Sequence, residues 1–226
     1  MINKKIFAER YVQKKGFLQY PAESVMRFYN VYLKQALPTG RILDYGCQTA
    51  NNSAFLAGKG YDVWGVDTVK EALPLIRANM KRIGVDSIQK FTIVPDTKLP
   101  FKNDYFDAIL SNQFLYDHLS AQEIKEVLKE FARILRPGGT AFATMMGPKN
   151  VFITKHSKKT NGGYKISFPK KHRLYGFDHT ISAVMENKRD LKNLFSDFEC
   201  ITIGYVDQSI LEVTSTFHWI YVGRKA

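Results

Sequence analysis

Hydrophobic and polar residues alternate in short blocks over the first two thirds of the chain. Apolar runs predict buried strands at residues 41–45, 61–66, 89–94, 105–111 and 140–146. Helical spacing around these runs predicts helices at residues 22–37, 51–59, 69–83 and 120–135. The last helix has the clearest signal, because Ser120 and Glu123 form a capping-box pattern before one apolar stripe. Alternating strands and helices indicate a parallel sheet covered on both faces.

The pattern changes after residue 147. Gly162, Gly163 and Pro169 indicate a loop or a small hairpin within residues 148–177. A helix is predicted at residues 189–195, and the strand-like runs 198–206 and 217–222 are joined by a stretch without a helical stripe. Such neighbours pair antiparallel. We therefore expect an α/β fold, with a doubly wound, mostly parallel seven-stranded sheet and an antiparallel C-terminal hairpin.

The composition is that of a globular protein with a strong positive charge. The 226 residues carry 33 Lys and Arg against 21 Asp and Glu, a net charge of +12, and 45% of them are hydrophobic. This balance excludes intrinsic disorder. We expect one domain (1–226) made of an N-terminal helical lid (1–38), a core (39–147), a basic insertion (148–177) and a C-terminal helix and hairpin (178–226). The insertion has no acidic residue and eight basic ones, which favour an anionic partner: Lys149, Lys155, Lys158, Lys159, Lys165, Lys170, Lys171 and Arg173.

Several classes of protein are disfavoured. The charged N-terminus lacks the apolar core of a signal peptide, and no stretch approaches the roughly 20 apolar residues of a membrane span. Cys47 and Cys200 are too few for a disulfide framework or a four-cysteine zinc site. We expect a cytoplasmic protein, monomeric or homodimeric, without a metal or a membrane partner.

The loop after the first predicted strand is the first candidate site. Ligands of doubly wound sheets bind beyond the carboxyl ends of the strands, and Gly46 lets the backbone come close to one. Asp67 ends the next predicted strand, where nucleotide-binding folds place an acid that binds ribose hydroxyls. With one glycine the loop alone is a weak signal, because a tight strand-to-helix turn has the same pattern.

Five short motifs follow one another over residues 40–146. They are LDYGCQTA (43–50), GVD (65–67), PDT with LPF (95–97 and 99–101), YFDAILSN (105–112) and LRPGG (135–139). In order and spacing they resemble those of class I S-adenosylmethionine-dependent methyltransferases of the small-molecule type. The resemblance implies a Rossmann-like fold and S-adenosyl-L-methionine as the cofactor. Gln48 and Ala50 depart from the family pattern, because glycines usually stand at both positions.

The resemblance assigns the methionine end of the cofactor to two loops. Gly46, with the backbone of Cys47 and Gln48, would lie against the methionine part. Asn112 and Gln113, after the fourth predicted strand, would face the same end. The side chain of Gln48 would point away or bind the cofactor carboxylate.

The resemblance assigns the nucleoside end to two acids and their neighbours. Asp67, with Thr68 beside it, would accept hydrogen bonds from the ribose hydroxyls. Asp96 would bind the adenine amino group, with Thr97 beside it. Asp44 would orient the loop or contact the cofactor amine through water.

Residues outside these motifs are candidates for the methyl acceptor. His118 follows the fourth predicted strand and is a candidate base near neutral pH, although a histidine that packs the loop fits the position equally well. The lid contributes two aromatic candidates, Tyr11 and Tyr20. Candidates from the basic insertion and its flank are Lys170, Lys171, Arg173 and His179.

These candidates favour methyl transfer to a small, anionic or sugar-like acceptor. O-methylation is preferred for two reasons: His118 could act as the base, and the Pro-Pro motif of enzymes that methylate amino groups of bases or of glutamine is absent after the fourth strand. Two alternatives stay open: an RNA methyltransferase, which the charge of +12 favours, and a non-catalytic cofactor-binding protein, which Gln48 favours. A nicotinamide dehydrogenase is disfavoured, because the G-x-G-x-x-G spacing is missing.

Overall fold

A computed structural model describes residues 1–13, 20–85, 90–172, 174–208 and 215–226. The strands in these ranges are, in chain order, β1 (Arg41–Tyr45), β2 (Asp62–Asp67), β3 (Phe91–Ile93), β4 (Phe106–Ser111), β5 (Leu135–Met146), β6 (Ser157–Thr160), β7 (Gly163–Ile166), β8 (His179–Ile181), β9 (Glu199–Val206) and β10 (His218–Arg224). The helices are α1 (Lys4–Gln13), α2 (Glu23–Phe28), α3 (Lys34–Ala36), α4 (Asn51–Ala57), α5 (Leu73–Arg82), α6 (Leu115–His118), α7 (Ala121–Ile134), α8 (Val151–His156) and α9 (Lys188–Leu194).

The helices follow the predicted blocks with two local differences. The predicted helix at 22–37 is interrupted by a π-helical turn, Tyr29–Leu33, which joins α2 to α3. A 3-10 turn, Lys70–Ala72, precedes α5. The predicted capping box is present at the start of α7, where Glu123 N donates to Ser120 Oγ at 3.3 Å and Ser120 N donates to Glu123 Oε2 at 2.8 Å. None of the described helices is long and apolar enough to cross a membrane.

The main sheet has the predicted doubly wound topology. Within the described ranges its seven strands lie in the order β3-β2-β1-β4-β5-β10-β9. β1 to β5 pair in parallel, whereas β10 runs antiparallel to both β5 and β9 and so forms the expected C-terminal hairpin. The chain moves outward from β1 to β3 and then crosses to β4 on the other side of β1. The carboxyl ends of β1 and β4 therefore meet at the switch point, which is where ligands bind in such sheets.

The core consists of apolar layers on both faces of this sheet. The stripe of α7, with Ile124, Val127 and Phe131, packs on one face against Phe106 and its neighbours. A second cluster, from α2, α4 and the strands, covers the other face. Both faces of the sheet are buried, as the alternation of strands and helices requires. This packing holds the strands in place, and with them the loops at their carboxyl ends.

The basic insertion folds into a cap at the carboxyl edge of the main sheet. It contains α8 and the hairpin of β6 and β7, and β8 extends the hairpin into a small antiparallel sheet. Ser182, just after β8, donates from its backbone N to the carbonyl of Tyr116 at 2.8 Å. Asn3 joins the same two regions, because its Nδ2 donates to the carbonyls of Asp117 at 2.6 Å and Thr180 at 2.7 Å. The cap is thus tied to α6 and to the N-terminus.

Candidate functional site

The turn after β1 is closed by a glycine that no other residue can replace without strain. Gly46 has a φ of +79°, and a Cβ on it would lie 2.1 Å from the ring of Phe114. The backbone N–H groups of Gly46 and Cys47 both donate to the carbonyl of Val66, at 2.8 and 3.0 Å. This bonding ties the turn to the end of β2 and turns the following backbone toward the sheet edge.

The two departures from the glycine pattern keep a glycine-like backbone. Gln48 has a φ of +49° and Ala50 a φ of +59°, both in the left-handed region. This conformation costs L-residues about 1–2 kcal/mol each. Non-glycine residues in such conformations persist where the surrounding structure imposes them, and they cluster at functional sites. The loop has therefore lost two glycines but not the conformation that glycines favour.

A cavity of about 410 Å³ opens beside this loop at the switch point. The residues predicted for the methionine end all line it: Gly46, Cys47, Gln48, Asn112 and Gln113. Burial raises the pKa of the Cys47 thiol well above its ordinary value, so this cysteine stays neutral and is a packing residue rather than a nucleophile. The volume falls within the range of small-molecule sites.

The acid at the end of β2 lies next to the cavity but is covered. Asp67 accepts from Gln48 N and from Val69 N, each at 2.9 Å, and is 1% exposed. Burial raises its pKa to about 6, against the lowering effect of these hydrogen bonds. The Tyr11 hydroxyl of α1 lies 3.5 Å from Asp67 Oδ2, so Tyr11 covers this carboxylate instead of lining the cavity. Asp67 is therefore not open to the cavity.

The other predicted nucleoside-end residues also lie outside the cavity lining. Asp44 is buried and accepts from Ser53 Oγ at 2.6 Å, which ties β1 to α4 and agrees with an orienting role. Thr68 is buried beside Asp67. Asp96 is exposed and accepts from the backbone of Lys98, and the Thr97 hydroxyl lies 3.0 Å from Glu126.

The structure does not support His118 as a base. Its side chain is fully buried, absent from the cavity lining, and stacked between the rings of Phe7 and Phe114 at centroid distances of 4.0 and 4.1 Å. Burial lowers its pKa to about 3, so it is neutral at any physiological pH. α1 brings Phe7 over the ring, a long-range contact that the sequence pattern did not indicate. His118 is therefore a packing residue.

The cavity lining also contains residues that the sequence analysis did not select. Tyr116 and Asp117 of α6 line it, together with His218 at the start of β10. The predicted Tyr20 and His179 also line it. His218 had only its place on the last strand to indicate it, and Tyr116 and Asp117 directly precede His118 after the fourth strand. Their position after β4 was the available signal.

The lysines of the cap do not reach this cavity. Lys170 and Lys171 are exposed and absent from its lining, and Arg173 lies outside the described residues. The cap contributes mainly apolar side chains and one amide, as its lining residues show: Asn150, Val151, Phe152, Leu174 and Phe177. The insertion thus borders the cavity as expected, but with an apolar surface instead of a cationic one.

Asp117 is the carboxyl group of the described cavity lining. Its side chain is 15% exposed, and Oδ1 lies 3.7 Å from His179 Nε2 and 3.4 Å from Asn3 Nδ2. Burial raises its pKa to about 7, and the charge of Arg10 opposes this rise. A carboxyl group with a pKa this close to neutrality can both hold and release a proton under cellular conditions.

The sequence matches a known family over the core. The family described as "Methyltransferase domain" matches residues 42–139. Methyltransferase GfsG of Streptomyces halstedii is 31% identical over 100 residues, which are 44% of this chain and 35% of that protein. A demethylmenaquinone methyltransferase of Clavibacter sepedonicus is 33% identical over 99 residues, 44% of this chain and 38% of that protein. The chain thus spans little more than a third of these curated relatives.

Solved structures resemble the whole fold. A SAM-dependent methyltransferase of Methanosarcina mazei superposes with a TM-score of 0.69 at 22% identity, over 87% of this chain and 97% of that one. The 1,6-didemethyltoxoflavin-N1-methyltransferase of Burkholderia thailandensis gives 0.68 at 14% identity, over 99% and 87%. At these identities the likeness concerns the fold. The likeness in sequence to a methyltransferase domain thus covers residues 42–139, which include the glycine loop and the acid that ends β2, and the solved structures add the likeness of the fold.

Proposed function

We propose that the protein transfers a methyl group from S-adenosylmethionine to a hydroxyl group of a small molecule bound in the cavity. The observation that carries this proposal is one cavity lined by two groups of elements. The loops after β1 and β4 line it, and so do the cap, α6 and β10. Such a cavity can hold the methyl donor against one wall and align an acceptor against the other, which is the main requirement of this reaction.

The residues of the loops after β1 and β2 fit the cofactor. The backbone of Gly46 and Gln48 would hold its methionine part, and Asp67 would accept hydrogen bonds from its ribose once Tyr11 has moved aside. When bound, the cofactor supplies a methyl group on a sulfonium, which is already electrophilic. The protein therefore needs to orient the acceptor and, for a hydroxyl, to take up a proton.

Asp117 is the group that takes this proton in our proposal. It lines the cavity, and its pKa of about 7, raised by burial, is close to the working pH that suits a general base. Asn3 Nδ2 donates to Asp117 Oδ1 at 3.4 Å and helps to orient the carboxyl group. Asp117 takes the role that the sequence analysis gave to His118.

The names of similar proteins support a small-molecule acceptor without selecting one. One relative is named for demethylmenaquinone, and one similar structure contains 1,6-didemethyltoxoflavin together with S-adenosylhomocysteine. The cavity volume of about 410 Å³ lies within the range of small-molecule sites.

Calorimetry with S-adenosylhomocysteine tests the cofactor part of the proposal. Asp67→Ala should weaken binding by about 10- to 150-fold, because charge-assisted hydrogen bonds of about 1.5–3 kcal/mol are lost. Asp197→Ala is the matched control, since Asp197 is exposed and outside the cavity lining. Equal affinity of the Asp67 variant and the wild type would contradict the role of Asp67. A correctly folded wild type that binds no cofactor would contradict the function.

RNA methylation is a second candidate, because the outer face of the cap is basic. Lys158, Lys159 and Lys165 of its hairpin are exposed, and no ion pair joins them to a carboxylate within the described part of the chain. RNA binding through such a face would depend steeply on salt, with about 0.7 log units of affinity lost per log unit of salt for each phosphate neutralised on a single strand. Titration of a labelled single-stranded RNA at several salt concentrations tests it. A slope of several units favours RNA, and no measurable binding removes this candidate.

A further inference from the structure

The hydrogen-bond direction of Tyr116 is fixed by its partner in the cavity wall. His218 Nδ1 lies 2.6 Å from the carbonyl oxygen of Thr216, which can only accept, so Nδ1 carries the proton. Burial lowers the pKa of His218 to about 4, so the ring is neutral and Nε2 is an acceptor. The Tyr116 hydroxyl, 2.9 Å away, must donate to Nε2. Its oxygen therefore offers a ligand only lone pairs.

His179 repeats this arrangement on the same cavity. Its Nδ1 lies 3.1 Å from the carbonyl of Phe177, so the proton sits on Nδ1 and Nε2 can accept. Burial lowers the pKa of His179 to about 4, which keeps the ring neutral. Ionised Asp117 beside it adds two more acceptor oxygens. We call Tyr116 Oη, His179 Nε2 and the Asp117 carboxylate the acceptor cluster.

The acceptor cluster disfavours an anionic ligand. A carboxylate or phosphate group brings only hydrogen-bond acceptors, and it would face like groups in the cluster. Among the described residues that line the cavity, Arg10 is the one that always carries a positive charge. Its guanidinium stacks on the ring of Phe177 at 4.0 Å and interacts with the charge of Asp117. The one cation is thus balanced by one carboxylate, and no net positive charge is left to attract an anion.

Flat apolar groups complete the lining of the cavity. Phe177 and Phe152 lie 4.4 and 6.0 Å from the ring of His179, measured between centroids. Met146 and Ile181 add aliphatic contact surface. Aromatic walls of this kind favour planar rings, which stack on them or meet them edge to face.

We propose, on the basis of the methyl transfer proposed above, that the methyl acceptor is an uncharged hydroxylated aromatic compound whose hydroxyl group donates to the acceptor cluster. The acceptor cluster thus binds the reacting hydroxyl as a hydrogen-bond donor before this hydroxyl gives up its proton. This substrate class replaces the anionic acceptor expected from the charge of the cap.

Three naphthalene probes that share one ring system test the proposal. 2-Naphthol carries a donor, 2-methoxynaphthalene carries no donor, and 2-naphthoate is an anion without one. Calorimetry on the full chain, saturated with S-adenosylhomocysteine, should show 2-naphthol binding at least about tenfold more tightly than either of the others, as one well-formed hydrogen bond allows. Equal or tighter binding of 2-naphthoate would overturn the proposal, and so would three equal affinities.

Two variants connect the preference to the cluster. Tyr116→Phe should lower the affinity for 2-naphthol about tenfold and leave that for 2-methoxynaphthalene unchanged. His218→Phe releases the Tyr116 proton, so the discrimination against 2-naphthoate should shrink. The double variant Lys170→Gln, Lys171→Gln is the control. It should leave the affinities for 2-naphthol and 2-methoxynaphthalene unchanged, since both lysines are exposed and outside the cavity lining. A loss of binding in this control, with Tyr116→Phe unaffected, would return the assignment to an anionic acceptor.

Binding of S-adenosylhomocysteine distinguishes a wrong substrate class from a wrong function. If S-adenosylhomocysteine binds and the naphthol preference is absent, the substrate class is wrong and the transferase function stands. If S-adenosylhomocysteine does not bind to the folded wild type, the proposed function fails first.

Discussion

Replacing Gln48 with glycine should stabilise the protein, although the residue lies in the cofactor loop. Its φ of +49° places it in the left-handed region, which costs an L-residue about 1–2 kcal/mol. Glycine avoids this cost but loses about 0.5–1 kcal/mol more backbone entropy on folding. The hydrogen bond from the backbone N of Gln48 to Asp67 is kept in the variant. The net gain should therefore be about 0.5–1 kcal/mol.

Ala50 provides the matched comparison. It has the same backbone class, with a φ of +59°, but its methyl group is 0% exposed and packs in the cluster below α1. Ala50→Gly relieves a similar strain and loses the burial of one methyl group, about 0.8 kcal/mol. Its net effect should be close to zero. The difference between the two variants isolates the packing contribution from the backbone contribution.

Urea unfolding at neutral pH measures both effects. A gain of about 1 kcal/mol in Gln48→Gly corresponds to a rise of about 2–4 °C in Tm for a chain of this size. Cofactor affinity should stay within about tenfold of the wild type, a window of about 1.4 kcal/mol. The reasoning is refuted if Gln48→Gly lowers the stability, or if only the glycine variant binds the cofactor. The second result would identify a degenerate cofactor site.

Two further substitutions follow from the same geometry. Gly46→Ala should destabilise the protein by more than about 2 kcal/mol, because the added Cβ would lie 2.1 Å from the ring of Phe114 and φ is +79°; a variant with wild-type Tm would contradict the close approach. Asp117→Asn should stabilise the protein more at pH 8 than at pH 4, because the pKa of Asp117 is raised by burial to about 7 and its carboxylate therefore lowers stability as the pH rises from about 4 to 7. The stabilisation at pH 8 should exceed that at pH 4 by at most about 4 kcal/mol. Urea unfolding of the variant and the wild type at both pH values measures it, and an equal stabilisation at the two pH values would contradict the reasoning.

The elements of the core could be predicted because their signals are local. The first strand was predicted at 41–45 and β1 is Arg41–Tyr45, since an apolar run bounded by polar residues has few other solutions. The capping box needed only the spacing of Ser120 and Glu123. The doubly wound order then followed from the alternation of strands and helices, because βαβ crossovers in one sheet are right-handed and short.

The choice within α6 could not be predicted. Successive residues of a helix differ by about 100° in direction, so three neighbours after β4 cannot all face the same environment. Tyr116 and Asp117 face the cavity, whereas His118 faces Phe7 and Phe114. Nothing local indicates which way the four-residue helix is rotated, and α1 decides it from more than a hundred residues away. The chemistry of histidine therefore favoured His118 as the candidate base, whereas the packing of α6 places Tyr116 and Asp117 at the cavity.

The charge of the cap misled for a related physical reason. A hairpin exposes one face, and long cationic side chains remain in water because burying them without a partner is costly. The residues that the cap presents to the cavity are those that can be desolvated, such as Phe152 and Phe177. The net charge of the cap thus describes its outer surface. The surface that faces the cavity has to be predicted from the uncharged residues of the cap.

The polarity of the cavity depends on contacts at two very different ranges. The carbonyl of Thr216, two residues away, fixes the proton of His218 on Nδ1. The bare Nε2 then sets the direction of the Tyr116 hydroxyl, 102 residues away in the chain. The first contact is local but depends on the backbone path at the start of β10, and the second exists only after the sheet has formed. A hydrogen-bonding preference for the acceptor can therefore be derived from the folded chain, although each residue in the relay is uninformative by itself.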